Sequence, residues 1–102
     1  MNHQSHQDIF AQELESWRQR GARIIDVREP SEYQNGHVPG AENIPLGEIA
    51  EHGAQLEGPI VLVCAGGNRS GNAAQYLSAI GKDDIANLTG GTFGYAQHFP
   101  LE

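Results

Sequence analysis

The 102-residue sequence predicts an α/β domain built on a mainly parallel sheet with right-handed crossovers. Three observations carry that expectation. Short β-branched apolar segments alternate with segments of helical periodicity; the most apolar segment, 59–64, shows no polar alternation; and glycine or proline marks nearly every boundary between them.

Phe10, Leu14 and Trp17 fall at i, i+4 and i+7, the stripe of a surface helix that begins in the polar stretch from Ser5 to Asp8 and ends at Gly21. Arg18 and Arg20 lie in its last turn, where cations complement the helix dipole. Arg23-Ile24-Ile25-Asp26-Val27 reads as a buried strand that cannot continue through Pro30. Ser31 to Asn35 has room for a turn or two of helix before Gly36. The punctuated turn Gly36-His37-Val38-Pro39-Gly40-Ala41 then leads into a brief strand, Glu42-Asn43-Ile44-Pro45, and a short helix over Leu46 to Glu51. Pro59 to Cys64 is apolar throughout, as suits the centre of a sheet covered on both faces. From Ser70 onward, Ala73, Ala74, Leu77 and Ile80 keep to one helix face, and Gly81 supplies a left-handed stop. Ile85-Ala86-Asn87-Leu88 is the last strand, followed by Gly90-Gly91 and a short helix carrying Phe93, Ala96 and Phe99.

The length suits one compact domain over residues 1–102 with a real hydrophobic core. Formal net charge is −7, and Lys82 is the only lysine beside five arginines. No basic face is available, which argues against nucleic acid and membrane surfaces as partners. No apolar run approaches the roughly 20 residues of a membrane span, and the polar Met1 to Gln7 lacks the pattern of an export signal. A soluble, cytoplasmic protein is expected. One cysteine cannot form an intrachain disulfide or a thiolate metal site. Among the histidines only His3 and His6 have helical spacing, and they read as solvated terminal residues, so no metal is assigned. No role is expected of the final Leu101-Glu102.

Function concentrates on Cys64, which closes the apolar run and opens the loop Cys64-Ala65-Gly66-Gly67-Asn68-Arg69-Ser70. A thiol of reference pKa about 8.5 becomes a nucleophile when helix N-terminal N–H groups or cations lower that value. Two adjacent glycines allow a tight turn with N–H groups aimed inward, Arg69 follows in the loop, and Arg28 stands at the end of the other long strand. In a parallel sheet both positions fall at the carboxyl edge, where sites form. The alternative is a buried, inert cysteine. No histidine lies in the loop, so a protease-like acyl transfer lacks its base; the loop suits a phosphate, a sulfate-like group or the anionic outer sulfur of a persulfide.

Four segments taken in order, Asp26-Val27-Arg28-Glu29-Pro30-Ser31-Glu32-Tyr33, Gly36 to Pro45, Cys64 to Ser70 and Leu88-Thr89-Gly90-Gly91, resemble a single-domain rhodanese of the sulfurtransferase family. The resemblance implies a three-layer α/β/α sandwich around a five-stranded parallel sheet, with catalytic Cys64 after the central strand. It implies transfer of a sulfane sulfur from thiosulfate or a related persulfide donor, through a Cys64 persulfide, to cyanide, a thiol or a thioredoxin-like acceptor, without metal or organic cofactor. Dual-specificity phosphatases related to this fold carry C-x5-R loops. Here four residues separate Cys64 from Arg69, the shorter loop of the sulfur-transferring branch, which disfavours phosphatase or arsenate reductase chemistry.

Several residues keep two readings. Asp26 and Arg28 hydrogen-bond either the loop or each other. Arg69 either attracts an anionic donor or ties the loop to an acid such as Asp26. Ser70 suits an N-cap and also a donor to the persulfide. His37 serves turn packing, or else a place near the substrate. Two positions depart from the family pattern. Ala65 stands where thiosulfate-preferring members often have arginine, which implies modest thiosulfate affinity, and Tyr95 replaces a common tryptophan as a packing change. A rhodanese-fold binding or sulfur-carrier module acting with a protein partner is the second functional expectation.

Overall fold

The computed structural model describes residues 6–102. Five parallel strands, β1 (Gln7–Ile9), β2 (Arg23–Asp26), β3 (Glu42–Asn43), β4 (Ile60–Val63) and β5 (Ile85–Leu88), form one sheet in the order β1-β5-β4-β2-β3. The helices are α1 (Leu14–Gln19), α2 (Pro30–Gln34), α3 (Ile49–His52), α4 (Asn68–Ala79) and α5 (Gly91–Ala96), with 3-10 turns flanking α1 and α3.

The three layers follow from the side-chain alternation of buried strands. On β4, Val61 and Val63 pack with Leu14, Trp17 and Tyr95 on the α1/α5 face. Ile60, Leu62 and Cys64 join Ile49, Ala73, Ala74 and Leu77 on the α3/α4 face. Every residue of β4 and β5 is buried, as the unalternating apolar pattern of the central run requires. Tyr95 is a core residue, consistent with a packing change at that position.

Sheet order decides where a site can form. From β2 the chain moves outward to β3, crosses back to β4, and then moves the other way to β5. The loops leaving β2 and β4 therefore diverge, and the crevice between them is the topological switch point of the sheet.

Two expectations about elements are corrected. The first helix does not start near Asp8: residues 7–9 form edge strand β1, paired in register with β5. Phe10, expected on the apolar stripe, is 56% exposed and precedes a 3-10 turn, so only Leu14 and Trp17 face the core. His6 lies ahead of that strand, outside any helix, while His3 and Ser5 fall outside the described residues. The principal helix begins at Asn68 rather than Ser70, because Gly67 adopts φ +113° and turns the chain directly into α4.

The closing dipeptide is integrated into the turn it reaches. His37 and Glu102 exchange backbone hydrogen bonds of 3.2 and 2.8 Å, and the Gly40 N–H donates to the Glu102 carboxylate. His37 stacks on Tyr33 with ring centroids 3.8 Å apart, a packing role in that turn.

Candidate active site

Cys64 leaves β4 at its carboxyl end and is 1% exposed. Its carbonyl accepts from the Thr92 N–H at 2.8 Å and from the Thr92 hydroxyl at 3.1 Å, while the Ala65 carbonyl accepts from the Phe93 N–H at 3.1 Å. The first turn of α5 thus clamps the start of the loop. Gly91 permits this approach: a Cβ there would lie 2.4 Å from the Cys64 carbonyl oxygen, and its φ is +59°.

Beyond the clamp, the chain curls around the sulfur. The Gly67 N–H donates to Sγ at 3.0 Å, and the Ser70 hydroxyl lies 3.3 Å from it. Burial pushes the Cys64 thiol up; hydrogen bonds from the Ser70 hydroxyl and from the N–H groups of Ser70, Gly67 and Gly66 outweigh it and leave the thiol below its ordinary value. The cysteine is buried, and the donors around it favour its anion. Ser70 is not the N-cap, a place that Gly67 takes; it is buried in the first turn of α4 with its hydroxyl turned to the sulfur. That hydroxyl also lies 2.6 Å from Asn87 Oδ1 on β5. One hydroxyl proton serves one acceptor at a time, so Asn87 competes with the sulfur for it. The Asn87 amide nitrogen donates to Asp8 on β1 at 3.2 Å, which orients the carbonyl toward Ser70.

Asp26 and Arg28, both buried, resolve in favour of each other. Arg28 makes three side-chain hydrogen bonds of 2.8–3.0 Å to the Asp26 carboxylate and one of 2.8 Å to the Gly36 carbonyl. They fix the end of β2 and the following turn rather than touch the loop. Arg69 is tied to an acid other than the expected Asp26: its two terminal nitrogens donate to the two oxygens of Glu32 at 2.8 and 3.0 Å. The same Glu32 accepts from the Glu29 N–H at 3.0 Å as part of the α2 capping box. These contacts, that with Arg69 foremost, bring the Glu32 carboxyl down to about 2. Gly66 and Asn68 are exposed on the loop rim, and Ala65 is partly buried beside Cys64.

Glu32, Asn87 and Thr92 were not singled out from sequence. Asn87 had a readable signal, being the one polar residue of an apolar strand, and Glu32 had the Glu-x-x-Glu spacing of a capping box. Among the described residues no group of three or more His, Cys, Asp or Glu side chains is arranged to hold a metal, and no helix is long and apolar enough to cross a membrane.

A family profile described as a rhodanese-like domain matches residues 10–98. The chain is 34% identical over 98 residues to the thiosulfate sulfurtransferase GlpE of Pseudomonas aeruginosa, covering 94% of this chain and 89% of that protein. It is 45% identical over 74 residues to the uncharacterised protein YqhL of Bacillus subtilis, covering 71% of this chain but only 59% of that longer protein. Among solved structures, a rhodanese-related protein from Thermoplasma volcanium superposes with a TM-score of 0.84 at 31% identity, over 95% of this chain and 98% of that one. The human single-domain sulfurtransferase TSTD1 superposes at 0.79 with 27% identity, over 93% and 99%.

Proposed function

The chain belongs to the rhodanese-like domain family, and from that premise we propose that it is a sulfurtransferase whose sulfur carrier is a persulfide on Cys64. The observation that carries this reading is the cradle around Sγ, with the Gly67 N–H at 3.0 Å and the Ser70 hydroxyl at 3.3 Å. Donors arranged around one sulfur atom stabilise a thiolate before reaction and a persulfide anion after it.

In the first half-reaction the Cys64 thiolate attacks the outer sulfur of a sulfane donor such as thiosulfate. A Cys64 S–S bond forms, the donor S–S bond breaks, and sulfite leaves with the bonding pair. In the second, cyanide or an acceptor thiol attacks the outer sulfur, giving thiocyanate or a new persulfide and returning the Cys64 thiolate. No net oxidant is consumed. The N–H groups of Gly66, Gly67 and Ser70, with the Ser70 hydroxyl, hold the charge at each stage, and Ala65, Asn68 and Arg69 complete the ring. Asp26 and Arg28 act as positioning residues for the β2 side of the crevice. The chemistry calls on no metal or organic cofactor. It needs Cys64 in the reduced state, which the cytoplasm maintains, and protein thiols there, including thioredoxin-like ones, are the proposed acceptors.

Incubation with thiosulfate is expected to add about 32 Da at Cys64. Added cyanide then releases thiocyanate, and Cys64→Ser loses both signals. Turnover retained by the Cys64→Ser variant overturns the assignment, and aryl phosphate hydrolysis at a rate comparable to sulfur transfer overturns the loop-length argument behind it.

A further inference from the structure

All six lysine and arginine side chains of the sequence are ion-paired: Arg18 with Glu15, Arg20 with Asp84, Arg23 with Glu42, Arg28 with Asp26, Arg69 with Glu32 and Lys82 with Glu57. Only two of these cations belong to the crevice around Cys64. Arg28 is buried, its Nε and Nη2 are engaged by Asp26 and the Gly36 carbonyl, and its charge is offset by the Asp26 carboxylate. Arg69, the loop arginine, has its charge offset by a carboxylate at hydrogen-bond distance on both terminal nitrogens. No lysine or arginine charge is therefore left unbalanced at the mouth, in a protein that already carries −7. The donors at the mouth with no carboxylate paired to them are those of the N–H cradle, whose partial charges suit one negative sulfur but do little for a second charge farther out.

Glu32 is held in place from two directions. The Glu29 N–H fixes one oxygen at 3.0 Å, and the guanidinium takes both, so the carboxylate is a built part of the rim rather than a mobile surface acid. It also remains ionised throughout the neutral range.

Resting on the sulfurtransferase reading above, we propose that Glu32 is a specificity-determining residue: by neutralising Arg69 it selects sulfane donors carrying at most one charge, hydropersulfides above all, over the thiosulfate dianion. With such a donor the Cys64 thiolate attacks the terminal sulfur of RSSH. The Cys64 S–S bond forms as the RS–SH bond breaks, the terminal sulfur keeps its proton, and RS⁻ leaves with the electron pair. Charge and atoms balance without a co-reactant, and no dianion has to approach Glu32.

Two donors of matched chemistry and different charge test this: thiosulfate, a dianion, and methanethiosulfonate, a monoanion, each with cyanide as acceptor. Glu32→Gln keeps an oxygen for the Glu29 N–H and for Arg69 while removing the charge. Because Coulomb energy scales with donor charge, this variant is expected to lower the thiosulfate KM by roughly threefold to tenfold, and the methanethiosulfonate KM by about the square root of that factor. The kcat for each donor stays within about twofold, since the reacting atoms are untouched. Glu32→Asp, which keeps the charge, leaves the ratio of the two KM values near that of the native protein. A ratio unchanged in Glu32→Gln, with both donors still loading sulfur onto Cys64 by intact mass, overturns the role of Glu32 alone. Failure of both donors to load the native protein overturns the sulfurtransferase reading itself, and this inference with it.

Discussion

At the scale of single residues, the site is organised by competition for hydrogen bonds. The Ser70 hydroxyl stands between Cys64 Sγ and Asn87 Oδ1, and the thiol lies below its ordinary value because donors to the sulfur outweigh its burial. Removing the hydroxyl with Ser70→Ala removes a donor that favours the anion, so the Cys64 value rises. The pH profile of iodoacetamide alkylation should accordingly move to higher pH, with slower modification at neutral pH; an unmoved profile would assign the depression to the backbone N–H groups alone. This scale is also where sequence was least legible. Cys64 and the loop from it to Arg69 stand out because a glycine pair and an apolar run announce them. The partner of Arg69 did not, since Glu32 is 37 positions away and its pairing depends on how α2 is placed over the crevice. For Asp26 and Arg28, two positions apart, mutual pairing was one of two open readings, and the hydrogen bonds between them select it.

At the scale of elements, the active loop is a joint between β4, α4 and α5. The Thr92 and Phe93 N–H groups seize the carbonyls of Cys64 and Ala65, and they reach them only because Gly91 has no side chain. Gly91→Ala forces a Cβ against two carbonyl oxygens at a positive φ. A loss of at least about 1–3 kcal/mol in stability is expected from urea denaturation, with loss of sulfur loading in the molecules that remain folded. A variant of native stability and activity would show that the clamp is dispensable. Elements with strong periodicity or unbroken apolar character, β4 and the body of α4, were legible. Strand β1 was not, because an edge strand of three residues needs only Ile9 buried and leaves Gln7 and Asp8 exposed, which reads as a polar helix start. The onset of α4, two residues ahead of Ser70, is not legible in sequence because the turn depends on the conformation of Gly67 rather than on a capping side chain.

At the scale of the whole molecule, an acidic protein with every lysine and arginine already paired repels dianions from a distance. The KM for thiosulfate should fall as sodium chloride is raised from about 20 mM to about 150 mM, where the screening length contracts to about 8 Å. A KM that instead rises with salt would mean that unpaired positive charge guides the donor. Fold class was readable at this scale because parallel sheets demand central strands buried on both faces, and the sequence meets that demand at β4 and β5. The cradle has a consequence of another kind. Its N–H groups converge on Sγ only in the folded chain, so a sulfur atom loaded there behaves thermodynamically as a tethered ligand of the native state. Whatever the cradle contributes to holding that sulfur deepens the well from which an acceptor must lift it. Cargo retention and cargo delivery are thus set by one quantity with opposite sign, and a tighter grip on the sulfur makes a safer carrier and a slower donor.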